Sequence, residues 1–315
     1  MALKLNKTFL IIVKIVVSTT LLYYVLSKTG IQQVAGTLRN ISIPAFISAV
    51  FIYIFAQYIS TMRWKLFLPD GLSRQKLFSL YMIGSFFNTF LPGVIGGDAV
   101  KGYYLYKETG KADLSLASIF MDRYLGFVVL ILICTIAFPF GYKHFHGSRV
   151  EWLLPFTVLS FVTASLLIFG LRLGQRIRFL SAFYTYFHMY RNQKNIMVKG
   201  LMLSAGVQLS GIAAVNILAF GLGQHIPVLA FLMFIPLIIL FAMLPISISG
   251  LGVREGAFVL FFGLIGIKPE VATAISLSWF LTISAAGIIG LIEYIRYKKE
   301  INGIDRSIPG LKENK

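Results

Sequence analysis

The sequence predicts an all-α polytopic membrane protein made of two inverted repeats, with six full transmembrane helices and two re-entrant helical hairpins. Three observations lead there. Hydrophobic residues make up 57% of the 315-residue chain and charged residues 13%, about half the charged share of a soluble domain, and the mean hydropathy is +0.80. Six apolar stretches approach the length of about 20 residues that spans a bilayer. Two more are interrupted by Pro and clustered Gly, and the two interruptions resemble each other.

The first stretch, roughly 9–26, follows Lys4 and Lys7. No small-x-small cleavage site follows it and further spans do, so it is read as a retained helix and not a secretory leader. Lys14 within it snorkels to the near interface. The second stretch, 43–62, ends in Arg63–Trp64, which reads as interfacial anchoring. The remaining full stretches are 124–140, 152–171, 197–220 and 271–293. The interrupted ones are 77–106, broken by LPGVIGGD at 91–98, and 227–266, broken by LPISISGLG at 244–252. Pro removes a backbone donor and Gly is a poor helix former, so continuous helix through either break is disfavoured. The connector 172–195, with RLGQRIRFL and YRNQK, reads as a basic amphipathic helix on a surface of anionic lipid. One membrane domain is expected over 1–300, with halves of about 1–148 and 152–300, followed by a polar tail at 301–315; disorder is expected beyond Arg296.

Charge sets the orientation. Lys and Arg number 29 against 12 Asp and Glu, a net charge of +17. The basic residues fall between apolar stretches, as the positive-inside rule and anionic headgroups demand, so no nucleic-acid partner is expected. If six spans cross and each broken stretch dips in and returns, most basic loops share one side. That side is the cytoplasm and holds both termini, in a cell inner membrane. Lys28 and Arg39 fall on the outside and break the pattern.

The two breaks align without a gap at an offset of 153 residues: Leu91 with Leu244, Pro92 with Pro245, Gly97 with Gly250, Val100 with Val253, Lys101 with Arg254. The same offset carries the spans of the first half onto those of the second. Three crossings per half is an odd number, so the halves are inverted. Gly/Pro-interrupted segments at matching positions point to a transporter binding site at the repeat interface.

Charged groups deep in a membrane face a cavity or a partner. Asp98 and Lys101 follow the first break; Arg254 and Glu255 follow the second. A helix restarting after each break presents free N–H groups and a positive dipole end, which suits a lipid phosphate. The alternative is that Asp98 caps its helix and Arg254–Glu255 is an interfacial pair. Asp122–Arg123 opens the third span, either as an interhelical salt bridge or as a lateral gate in contact with a headgroup. Asn88 needs a polar partner, in the cavity or on a neighbouring helix.

Cys134 allows no intrachain disulfide, and His144 and His146 lack an evident third ligand, so no metal or cofactor is expected. The motifs GxSxG, HExxH, DxD and the P-loop are missing.

The blocks RWKLFL (63–68), SLYMIGSFFNTFLPGVIGGDAVKGYYL (79–105), SLASIFMDRYLGF (115–127) and LPISISGLGVREGAFVLFF (244–262) resemble the flippase-like family of the transmembrane region of lysylphosphatidylglycerol synthase, the multiple peptide resistance factor. The resemblance implies a membrane module that moves lipid between leaflets. The sequence in hand ends about 20 residues after the last span, so a stand-alone member without the soluble synthase domain is expected. The cargo is left open between an anionic or aminoacylated phospholipid and a lipid linked to polyprenyl phosphate. Two other functions stay open: a membrane-embedded lipid-modifying transferase with Asp122 as base, and a scaffold for an envelope glycosyltransferase. Expected partners are membrane lipids through an anionic headgroup, with a homo-oligomer or an envelope-biosynthesis enzyme as protein partner.

Overall fold

The computed structural model describes residues 7–90, 96–148, 150–170, 184, 190, 193–244 and 246–307. All regular structure among them is helical. The helices are α1 (Lys7–Thr29), α2 (Ile31–Arg39), α3 (Ile43–Lys65), α4 (Arg74–Phe90), α5 (Gly96–Thr109), α6 (Ala112–Gly141), α7 (Leu153–Ser165), α8 (Lys194–Gly221), α9 (Val228–Ala242), α10 (Val253–Gly263) and α11 (Pro269–Ser307). A π turn, Leu166–Gly170, prolongs α7.

Five of these are long and apolar enough to cross a membrane: α1, α3, α6, α8 and α11. α7, matching the stretch at 152–171, is shorter among the described residues, as is α9. Both broken stretches divide as their Pro and Gly content demands. α4 ends at Phe90 and α5 restarts at Gly96; α9 ends at Ala242 and α10 restarts at Val253. Residues 91–95, with Pro92, and Pro245 lie outside the described residues. So do most of the 172–195 connector and the tail from 308, with Pro309 and Gly310.

Several boundaries differ from expectation. α6 begins at Ala112, twelve residues before the apolar run, because nothing in ADLSLASIFMDR breaks a helix. Asp122 and Arg123 therefore sit about 15 Å along the helix, at 1.5 Å per residue, and do not open it. α11 continues past Arg296 to Ser307, where disorder was expected. α2 was not anticipated. Its Ile31, Val34 and Leu38 share one helical face, and Val34 is buried. His146, weighed as a metal ligand, is 3.1 Å from a Glu151 carboxylate oxygen. Hydrogen bonds from Tyr142 and the Gly147 amide, with His146, hold the Glu151 carboxyl below its usual range.

The outside of the bundle is apolar. Phe51, Phe55, Ile136, Phe140 and Phe156 are exposed on their helices, while Ser60, Thr61, Lys101, Asp122 and Ser204 are buried. Such a surface would be an aggregation hazard in water and is ordinary against lipid tails. A phenylalanine-rich core built on Phe231, Phe234, Phe258, Phe261 and Phe262 joins α9, α10 and α11 to α6 and α8.

Packing follows a definite pattern. α3 lies against α8. α4 packs on α5 and α11, and α9 on α10 and α6. α5 touches α6, and α10 touches α11; α3 meets α11, and α8 meets α6. Close approach depends on glycine. A Cβ at Gly290 of α11 would overlap the Met82 carbonyl oxygen of α4, whereas one at Gly36 of α2 would meet nothing.

Gly290→Ala should therefore push α4 and α11 apart and destabilise the fold by about 1–3 kcal/mol, the usual cost of overpacking. Gly36→Ala should leave stability unchanged or raise it by up to about 1 kcal/mol, since Gly is a weak helix former. Thermal unfolding of both variants in detergent separates the two outcomes.

Candidate functional site

The first break is organised by two glycines. A Cβ on Gly97 would overlap the Gly84 carbonyl oxygen, and one on Gly84 would press the stem of Lys101 at 3.2 Å. Without side chains there, α4 and α5 cross at backbone distance. Asn88 Oδ1 then accepts the Gly97 amide at 2.9 Å, satisfying one of the N–H groups left open at a helix start. The Lys101 stem runs over Gly84. Its ammonium lies 4.5 Å from the Trp64 ring centroid and 4.1 Å from that of Tyr81, a placement that stabilises a cation.

Asp122 of α6 is the centre of this cluster. Its Oδ1 accepts Arg63 Nε of α3 at 2.7 Å, and its Oδ2 accepts the Tyr81 hydroxyl of α4 at 2.9 Å. Lys101 Nζ of α5 lies 3.6 Å from the same Oδ2. Arg63 also donates from Nη1 to Ser204 Oγ of α8 at 2.9 Å. Next door, Arg123 Nε donates to Asp98 Oδ2 at 2.5 Å, and Lys101 Nζ lies 3.8 Å from Asp98 Oδ1. Asp122 and Arg123, adjacent in sequence, thus belong to separate ion pairs.

The second break is held by left-handed backbone at Ser249, Gly250 and Gly252. Glu255 Oε2 reaches back to accept the Gly252 amide at 2.6 Å, which starts α10. Its Oε1 accepts Arg254 Nη2 at 2.8 Å and the Ser276 hydroxyl of α11 at 3.0 Å. The break also leans on α1. Ser18 Oγ accepts the Ile248 amide at 2.7 Å, and a Cβ on Gly252 would press Leu21.

One cavity of about 360 Å³ joins the two breaks. Asn88, Asp98, Lys101, Asp122, Arg123 and Arg254 all line it. Glu255 does not; it is fully buried behind Arg254. Polar groups of α3 to α6 form one wall, while Phe127, Leu130, Ile235, Ile238, Ile239 and Phe258 form an apolar one.

Sequence reading misplaced Arg63 and Trp64. Neither anchors at the interface: Arg63 is 5% exposed and Trp64 wholly buried, with its Nε1 donating to Ser118 Oγ at 3.1 Å. A signal was available. Tyr53, Gln57, Ser60 and Arg63 recur every three or four residues, one polar face of an otherwise apolar helix, and all four line the cavity. Tyr81, Ser204 and Ser276 carried no comparable mark.

Breaking one partner of the Arg63–Asp122 pair leaves a buried charge alone. Arg63→Met and Asp122→Leu should each destabilise the protein by about 3–5 kcal/mol, and the double variant by clearly less than their sum. A double-mutant cycle of unfolding in detergent measures the difference.

The family profile described as the lysylphosphatidylglycerol synthase transmembrane region matches residues 11–290. Among curated proteins, a UPF0104 membrane protein of Methanocaldococcus jannaschii is 21% identical, over 96% of this chain and 98% of its own length. Two UPF0104 membrane proteins of Methanothermobacter thermautotrophicus are 23% and 25% identical; the matches cover 88% and 76% of this chain, and 93% and 80% of theirs. No solved structure matches the chain.

Proposed function

The chain belongs to the family of the lysylphosphatidylglycerol synthase transmembrane region, and from that premise we propose that it is a lipid translocase, moving a lipid with a phosphate-bearing headgroup between leaflets. The observation that carries the reading is Lys101. It is 2% exposed and lines the cavity, and no acceptor among the described residues lies within hydrogen-bond range of its ammonium. A buried cation with N–H groups left over suits an incoming anion. Arg254 stands on the same cavity beside the other break. On this reading the headgroup passes from one cation to the other, while the hydrocarbon chains stay in the bilayer.

The reading includes two inverted halves with re-entrant hairpins. In its favour, helix contacts come in exchange pairs when α3 is swapped with α8, α4 with α9, α5 with α10, and α6 with α11. α4 on α11 is matched by α9 on α6, α5 on α6 by α10 on α11, and α3 on α4 by α8 on α9. We place the protein in a cell inner membrane with both termini cytoplasmic, from its basic loops. The proposed role involves no covalent chemistry. A transferase using Asp122 as base is disfavoured, because both its oxygens already accept hydrogen bonds and Lys101 lies close by.

The test is flipping of a fluorescent anionic phospholipid in proteoliposomes. The protein should accelerate flipping over protein-free vesicles. Lys101→Ala and Arg254→Ala should slow it by roughly ten- to a hundred-fold, the worth of a charge-assisted hydrogen bond. A wild-type rate equal to that of empty vesicles would remove the function, and unchanged rates in both variants would remove the site.

A further inference from the structure

Pairing the charges around the cavity leaves a remainder. Each arginine there has a carboxylate in contact: Arg63 with Asp122 at 2.7 Å, Arg123 with Asp98 at 2.5 Å, Arg254 with Glu255 at 2.8 Å. Lys101 has none of its own. It shares Asp122 and Asp98 at 3.6 and 3.8 Å. Among the described residues, the four cations on the cavity face two carboxylates on its wall and Glu255 behind it, an excess of one positive charge.

We infer that the cavity selects a headgroup with one net negative charge, a phosphodiester, and that Asp98 is the residue that sets this number. The inference rests on the translocase reading and narrows its substrate class. A phosphodiester cancels the remainder. A phosphomonoester carries between one and two negative charges at neutral pH, because its second ionisation lies near pH 6. It leaves an excess of negative charge in a low-dielectric site, where an uncompensated ion is unfavourable. A zwitterionic headgroup cancels none of the excess, and an aminoacylated one with two ammonium groups adds to it, because each ammonium offsets the phosphate charge. The volume of about 360 Å³ adds a size limit. It lies near the lower end of small-ligand pockets, so the headgroup is compact and the chains remain outside.

Asp98, not Asp122, is the selector for a geometric reason. The Asp122 side chain is 3% exposed and engaged at both oxygens with three neighbouring helices. Asp98 is 14% exposed, and its Oδ1 faces Lys101 at a distance too long for a hydrogen bond. Neutralising Asp98 raises the excess from one to two without cutting a tie between α3, α4 and α6.

The experiment is competitive binding to the full chain in detergent, read by native mass spectrometry at pH 8. The probes are dioctanoyl phosphatidylglycerol, phosphatidate, phosphatidylethanolamine and lysyl-phosphatidylglycerol at equal concentration. Wild type should retain phosphatidylglycerol over each of the others by about tenfold, equivalent to about 1.4 kcal/mol. Asp98→Asn should shift the preference to phosphatidate, and Lys101→Met should abolish the order. Gln57→Glu, which adds a carboxylate to the cavity wall, should also abolish the phosphatidylglycerol preference, and it serves if Asp98→Asn does not fold. The inference is overturned if wild type holds phosphatidate or the lysyl lipid as tightly as phosphatidylglycerol. It is equally overturned if folded Asp98→Asn, or Gln57→Glu in its place, keeps the wild-type order. Flipping without any charge order sinks the selector and leaves the translocase; the charge order without flipping sinks the translocase and leaves a binding site.

Discussion

Three helices depend on one buried carboxylate. Asp122 takes a guanidinium from α3 and a hydroxyl from α4 and stands close to the ammonium of α5. In water each of these contacts would be weak, because exposed ion pairs contribute little. Inside the bundle, an ion left without its partner is strongly destabilising, so the groups must be held together. This requirement fixes where α4 and α5 sit against the rest of the protein. It also positions Lys101 on the cavity lining, with its ammonium over two aromatic rings.

The second requirement is that a bilayer offers no hydrogen bonds to broken backbone. Irregular chain at membrane depth persists only where protein or a wet cavity satisfies it. Asn88 accepts an amide at the start of α5, Glu255 one at the start of α10, and Ser18 the Ile248 amide. The side chains that repair the breaks thus come from both near and distant sequence, and glycines at 84, 97 and 252 supply the space. The two ends solve the charge problem differently. Lys101 lies between Asp98 on its own helix and Asp122 on α6, while Arg254 pairs with its sequence neighbour Glu255.

Much of this was legible in the residues. Composition alone demanded a membrane, and the Pro/Gly interruptions marked where α4 and α9 would stop. Asn88, Asp98, Lys101, Asp122, Arg123 and Arg254 stood out as polar groups in apolar surroundings, and all line one cavity. What the sequence hid was partnership. Arg63 beside Trp64 at a span end looks the same whether it anchors to lipid headgroups or turns inward; only the polar face through Tyr53, Gln57 and Ser60 distinguishes the cases. Ser204 and Ser276 were unreadable, because a serine in a membrane helix usually bonds its own preceding carbonyl. The extension of α6 to Ala112 was missed because hydropathy marks where a helix is oily, not where it begins.

The grip of α1 on the second break has a consequence for how the molecule is made. Ser18 and Ile248 are 230 residues apart. A ribosome adding about 5–20 residues per second delivers the second of them many seconds after the first. Through that interval α1 is threaded into the lipid with its hydroxyl bonded only to its own helix, at the Lys14 carbonyl. The Ile248 amide therefore meets an acceptor made long before it, a clasp waiting for its catch.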